Sequence, residues 1–229
     1  MTDDRTSIMQ RLKAETSDLH SHAESRTLQR AIAAGEVDRA AFSAYLGQLY
    51  QVHQSLESAL ENSCDEHAAI GALATADRMR IPDLDRDLEF YGVDRDQIAA
   101  GDAAKRFASQ VQEITTTAPV ALLGALYVLE GSTNGGRFLA RALRKSWDLD
   151  GEGLAYFDPY GDEQPQKWAS FRRDMDEASF SADQEEAIIE MAKATFIAIA
   201  EVSDEVSEQL RLQERAKPYF ATSHRAPKV

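Results

Sequence analysis

A chain of 229 residues with 28% charged and 43% hydrophobic side chains has the balance and length of one packed globular domain, which excludes fibrous and disordered classes. A formal net charge of -14 and a pI near 4.8 argue against nucleic acid as a partner, because such binding needs a basic face. The single cysteine, Cys64, excludes a disulfide framework and a cysteine-based zinc site, and it points to a reducing cytoplasm.

Met1 to Arg5 leads into an amphipathic stretch, so no signal peptide is expected. The six prolines and twelve glycines are separated by stretches with helical periodicity rather than alternation, which predicts an all-α fold. Helices are expected over Ser7 to Ala23, Leu28 to Ala34, Arg39 to Asn62, Ile81 to Tyr91, Ala103 to Thr116, Pro119 to Ser146, Pro165 to Ala178, and Ser181 to Leu212. Thr27 and Asp38 suit N-caps, Pro119 suits a first turn, and Ser181 to Gln184 has the spacing of a capping box.

Pro119 to Leu129 is the most apolar run, but it is too short to span a bilayer, so no membrane anchor is expected. Gly151, Gly153, Pro159 and Gly161 mark Asp148 to Asp162 as a surface loop. Two prolines and weak periodicity set residues 217–229 apart as a tail, leaving residues 1–216 as the helical domain.

In the first helix, Thr16, His20 and Glu24 share a face at four-residue spacing, with Lys13 almost on it two turns earlier. Glu24 can bond one ring nitrogen of His20 and turn the other toward a metal. Lys13 lies roughly 10 Å along the axis from His20, a span matching the distance from a heme iron to its carboxylate arms. Equally, His20 and Glu24 form a common surface pair, with Lys13 a solvated charge. His22 points elsewhere on the helix, and His67 and His224 lie in polar stretches and read as exposed.

Leu126 to Arg137 places Gly131, Gly135 and Gly136 inside the sixth expected helix. Each costs about 1 kcal/mol relative to Ala, so the cluster signals close approach or bending. Gly131 and Gly135 open a groove on one face, and Gly136 adds pliability. The groove admits either a flat ligand or a neighbouring helix with small residues.

Taken together, Leu12 to Glu24, Gly35-Glu36-Val37, Phe42, Leu49-Tyr50 and Ala118 to Gly136 resemble the heme oxygenase family, with Tyr127-Val128-Leu129-Glu130-Gly131-Ser132 similar to its bacterial, bacteriophytochrome-associated members. Gly153 to Phe157, Phe171-Arg172 and Ala192 to Phe196 extend the resemblance over most of the chain. It implies a single-domain fold holding heme b between a proximal helix and a kinked, glycine-rich distal helix. The implied reaction opens heme to biliverdin, carbon monoxide and ferrous iron with O2 and external electrons, from a donor such as ferredoxin or an NAD(P)H-dependent reductase.

By the same resemblance His20 is the iron ligand, Glu24 its hydrogen-bonding partner, Lys13 and Arg172 partners of the heme carboxylates, and Phe196 a pocket wall. Gly131, Gly135 and Gly136 form the distal backbone. Many members carry an aspartate after the first distal glycine, where it holds proton-delivering water; here that residue is Ser132. His53 stands where relatives often carry a tyrosine reaching that water, and it reads either as part of the proton route or as a polar residue at a helix interface. Arg137 and Arg141 face heme carboxylates or solvent.

Two other functions compete. A di-iron bundle needs Glu-x-x-His pairs, and the residues three before the five histidines are Ser17, Leu19, Tyr50, Cys64 and Ala221. A heme carrier without turnover is the rival that Ser132 sustains.

Overall fold

The computed structural model describes residues 6–221, with side chains as far as Arg211. His224 and the end of the expected tail lie outside the described residues. Among the described residues the regular structure is entirely helical. Helix α1 (Ile8–Glu24) starts at Ser7, whose side chain and that of Gln10 form a reciprocal capping box. Helix α2 (Thr27–Ala34) is capped by Arg26 without a side-chain bond, so Thr27 is its first residue rather than its cap. It ends at Gly35, whose φ of 70° is the left-handed stop that glycine adopts freely.

Helix α3 (Arg39–Ser63) follows the cap at Asp38, which accepts from the Ala41 amide, and α4 (Ala68–Leu73) is a short addition to the expected set. Its cap is His67, so that residue serves the backbone rather than standing free in solvent. Helices α5 (Ile81–Phe90) and α6 (Asp102–Thr117) precede a 3-10 turn at Pro119–Ala121 and then α7 (Leu122–Trp147). The helix expected from Pro119 therefore begins as 3-10 structure, because Ala118 before the proline leaves helical geometry at φ -157°.

Helix α8 (Gln164–Glu177) and helix α9 (Ala182–Ala221) complete the chain. The Ser181 capping box forms ahead of α9. Helix α9 continues into the segment read as a tail, so Lys217 to Ala221 are helical.

Helix α9 is the spine, with α1, α2, α3, α6 and α7 packed on it. The tightest crossing is at Gly124 of α7, where a Cβ would stand 1.9 Å from the Ile188 carbonyl oxygen of α9. The core is aliphatic and aromatic, with Leu12, Phe42, Leu46, Phe107, Leu122 and Phe171 fully buried.

The loop between α7 and α8 contains no strand and folds back onto α5. Asp87 accepts from the amides of Ala155 and Tyr156, both at 2.8 Å, and the Tyr91 hydroxyl donates to the Gly153 carbonyl. Gly153 holds a φ of 84°, and a Cβ there would stand 2.5 Å from the Phe90 ring. Asp87 thereby fixes the peptide that carries Tyr156.

Burial pushes Asp87 up to about 6, against the opposing pull of the two amides. Because this folded-state value lies above the unfolded one, the folded protein keeps the proton longer. Its contribution is full below about pH 4 and is lost as pH rises through 6, a change of about 3 kcal/mol. Asp87→Asn should flatten that part of the pH profile in urea unfolding between pH 4 and 7; identical slopes for the two proteins would refute it.

Candidate functional site

A cavity of about 470 Å³ opens between α1 and α7, with walls from α3, α8, α9 and the loop after α7. That is within the range of small-molecule sites. His20 and Glu24 line it from α1, and Gly131, Ser132, Gly135 and Gly136 line it from α7. Phe196 of α9, Tyr156 of the loop and Trp168 of α8 close its sides.

The side chain of His20 is 54% exposed, and its Nδ1 lies 3.5 Å from Glu24 Oε2. Phe196 meets the imidazole edge-on with ring centres 5.5 Å apart, which limits rotation of the ring. With Nδ1 facing the carboxylate, Nε2 is the nitrogen left for a ligand. Thr16, one turn before His20, is buried, and its hydroxyl donates to the Leu12 carbonyl. Across from it Tyr127 lines the cavity; burial raises its phenol, while Thr16 and the charge of Arg172 pull the other way.

Lys13 and Arg172 are exposed on α1 and α8, which pack together, and neither lines the cavity wall. The charge of Arg172 reaches Tyr127, which lines the cavity and lies against Thr16. Arg137 does not line the cavity either; its guanidinium is paired with the exposed carboxylate of Asp162 in the loop. Arg141 is exposed.

The three distal glycines have different surroundings. A Cβ on Gly136 would come within 2.5 Å of the Phe157 carbonyl oxygen, so this residue lets the loop backbone seat on the helix. A Cβ on Gly131 would meet the Trp168 ring at 3.3 Å, and one on Gly135 would meet nothing within 4 Å. Helix α7 remains a single α-helix from Leu122 to Trp147, through all three. Along it Ser132, Thr133 and Asn134 each donate from their side chains to the carbonyl three residues back, at 2.7, 2.6 and 2.9 Å. Phe138, one turn on, lines the cavity and is 67% exposed.

His53 is 2% exposed and does not line the cavity; Tyr156 intervenes. Its Nδ1 lies 3.0 Å from Glu57 Oε1, and its Nε2 lies 3.1 Å from the Tyr156 hydroxyl. Glu57 also accepts from the amides of Arg80 and Ile81, at 2.7 and 3.2 Å. His22 is exposed beside Arg26.

Glu57 and Trp168 lie outside the motifs that carry the resemblance, and Tyr156 lies within Gly153 to Phe157 but with no role assigned to it. Glu57 stands four residues after His53, the spacing of His20 and Glu24, so that pair was visible in the chain. No spacing places Tyr156 or Trp168 at the cavity, because long-range packing brings them there. Glu130 is buried on α7, with Oε2 accepting from the Tyr160 hydroxyl at 3.0 Å and burial raising its carboxyl.

The sequence model of the family described as heme oxygenase matches residues 6–205. A heme oxygenase of Takifugu rubripes is 26% identical over 99% of this chain and 83% of its own length. Heme oxygenase 1 of a Nostoc species is 24% identical over 83% of this chain and 82% of its own. The crystal structure of heme oxygenase-2 from Synechocystis in complex with heme and NO superposes with a TM-score of 0.84 at 24% identity, covering 97% of this chain and 95% of that one.

The glycine surroundings give opposite expectations for neighbouring positions. Gly135→Ala should stabilise the free protein by about 0.5 to 1 kcal/mol through helix propensity. Gly136→Ala should destabilise it by about 1 to 3 kcal/mol through overpacking against the loop. Urea unfolding of both variants gives the ranking, and the reverse order would contradict these assignments.

Proposed function

The chain belongs to the heme oxygenase family, and from that membership we infer that it binds heme b in this cavity and opens it to biliverdin, carbon monoxide and ferrous iron. The observation that carries this reading is the His20-Glu24 pair facing a glycine-bare stretch of helix across one cavity. The residues fit the ligand: a mostly apolar slot takes the porphyrin plane, an imidazole nitrogen takes the iron, and cations on α1 and α8 take the two carboxylates. Bound heme supplies the iron that activates O2 and the ring that is cleaved.

The chain's own residues perform four tasks. His20 holds the iron through Nε2, while Glu24 and Phe196 keep the ring in one orientation. Gly135 presents bare backbone, so that a flat molecule and a small gas fit beneath α7. Arg172, whose charge reaches Tyr127 on the cavity wall, and Lys13 of α1 meet the heme carboxylates by charge-assisted hydrogen bonds. Trp168 and the aliphatic side chains give the slot its apolar lining.

Electrons come from outside, from a ferredoxin or an NAD(P)H-dependent reductase. No helix among the described residues is long and apolar enough to cross a membrane. Ser132 favours a second reading, a heme carrier of the same fold, because its hydroxyl is bonded to the Leu129 carbonyl at the position where the resemblance gives many, though not all, members an aspartate.

Purified protein with heme, a reductant and O2 should lose its Soret band as bilin absorbs and iron is released. A Soret band that survives without bilin supports the carrier. His20→Ala should abolish the five-coordinate histidine spectrum and slow turnover by more than about tenfold, whereas His22→Ala should leave both unchanged. Equal effects from the two would sink the ligand assignment.

A further inference from the structure

Behind the cavity wall lies a polar chain that the iron-binding side does not use. Tyr156 lines the cavity, its hydroxyl lies 3.1 Å from His53 Nε2, and His53 Nδ1 lies 3.0 Å from Glu57 Oε1. Both Tyr156 and His53 are buried, and their rings meet edge-on. Such a connected group in an apolar interior must be fully satisfied to be tolerated, and each bond constrains the next.

The direction of the bonds follows from the far end. Glu57 Oε1 accepts from the backbone amides of Arg80 and Ile81, and the same oxygen meets His53 as an acceptor. His53 must then carry a proton on Nδ1 to meet it. In neutral His53, Nε2 is therefore bare and accepts from the Tyr156 hydroxyl. In protonated His53, Nε2-H donates to the phenol oxygen, and the phenol proton is released from His53 and free to point into the cavity.

Resting on the oxygenase reading above, we propose that Tyr156 is the proton donor on the cavity wall, with His53 and Glu57 as the positioning and reloading residues behind it. One proton moves per event. The phenol O-H bond breaks toward an oxygen acceptor in the cavity, a water molecule or an oxygen atom of the bound substrate, as the N-H of imidazolium Nε2 passes its proton to the phenol oxygen. That leaves neutral Tyr156 and neutral His53, still protonated on Nδ1 against Glu57. The imidazole is reloaded by the same path in reverse: a water in the cavity gives a proton to the phenol oxygen as the phenol proton passes to Nε2.

Burial raises the Tyr156 phenol, so it stays protonated between events and acts by concerted exchange rather than as a standing phenolate. The surrounding groups are Arg80 and Ser132, which favour its charged form, and Tyr45 and Glu57, which oppose it; Asp87 binds its peptide amide. The Asp87 clamp keeps the hydroxyl in line with His53. Ser132, whose own proton is engaged with Leu129, is a neighbour of this donor rather than its replacement.

Two measurements test the chain. In heme-free protein labelled with 15N-histidine, neutral His53 should be the Nδ1-H tautomer, and Tyr156→Phe should shift the Nε2 resonance as it loses its donor. An Nε2-H tautomer, or a resonance that Tyr156→Phe does not move, overturns the proposal. In the heme-loaded protein, Tyr156→Phe should slow bilin formation by tenfold or more, with heme affinity within twofold of wild type. His53→Phe should slow it as well and raise the solvent deuterium isotope effect, a change that lost packing alone would not produce. Wild-type turnover with no slowing in Tyr156→Phe overturns this proposal and leaves the oxygenase reading intact; absence of wild-type turnover overturns the oxygenase reading and this proposal with it.

Discussion

Helix α7 has to touch its neighbours closely at two levels and leave a third stretch bare, and the site depends on that requirement. At Gly124 the backbone of α9 comes so near that no side chain fits, and at Gly136 the carbonyl of Phe157 does the same from the loop. These contacts fix the height and rotation of the helix. Only with both in place does Gly135, next to Gly136 in sequence, face open space on the cavity side. The helix-propensity cost of this glycine cluster is offset by packing at one position and by an open site at another.

Much of the architecture was legible because the relevant signals are local. Asp38 caps the helix that its position predicts, Ser181 and Gln184 form their reciprocal box, and the glycine-rich segment after α7 is a loop. Errors occur where a local signal meets a backbone constraint. Pro119 starts a 3-10 turn because Ala118 before it cannot be helical, and Thr27 enters α2 because Arg26 takes the capping position.

The site divides in the same way. His20 and Glu24 face one another through a four-residue spacing that any helix would produce, so the pair can be read from the chain. Arg137 shows the limit: its side chain goes to Asp162, a partner twenty-five residues away in a loop whose path no periodicity describes. Tyr156 lies further still from what spacing can reveal. It reaches the cavity through two hydrogen bonds from the loop backbone to Asp87, an acid on another helix that reads in sequence as one more surface charge.

The bare face of α7 also bears on how the ligand-free molecule behaves in solution. Phe138 stands 67% exposed beside a largely apolar opening, and such a patch is adhesive until something fills or covers it. Two empty molecules meeting mouth to mouth would gain by burying it. The net charge of -14 works against that encounter, because mutual repulsion acts before the patches touch and weakens as salt is added. The acidity of this chain thus acts as a colloidal safeguard for an open pocket, and a vacant preparation is the form in which salt-induced self-association is expected first.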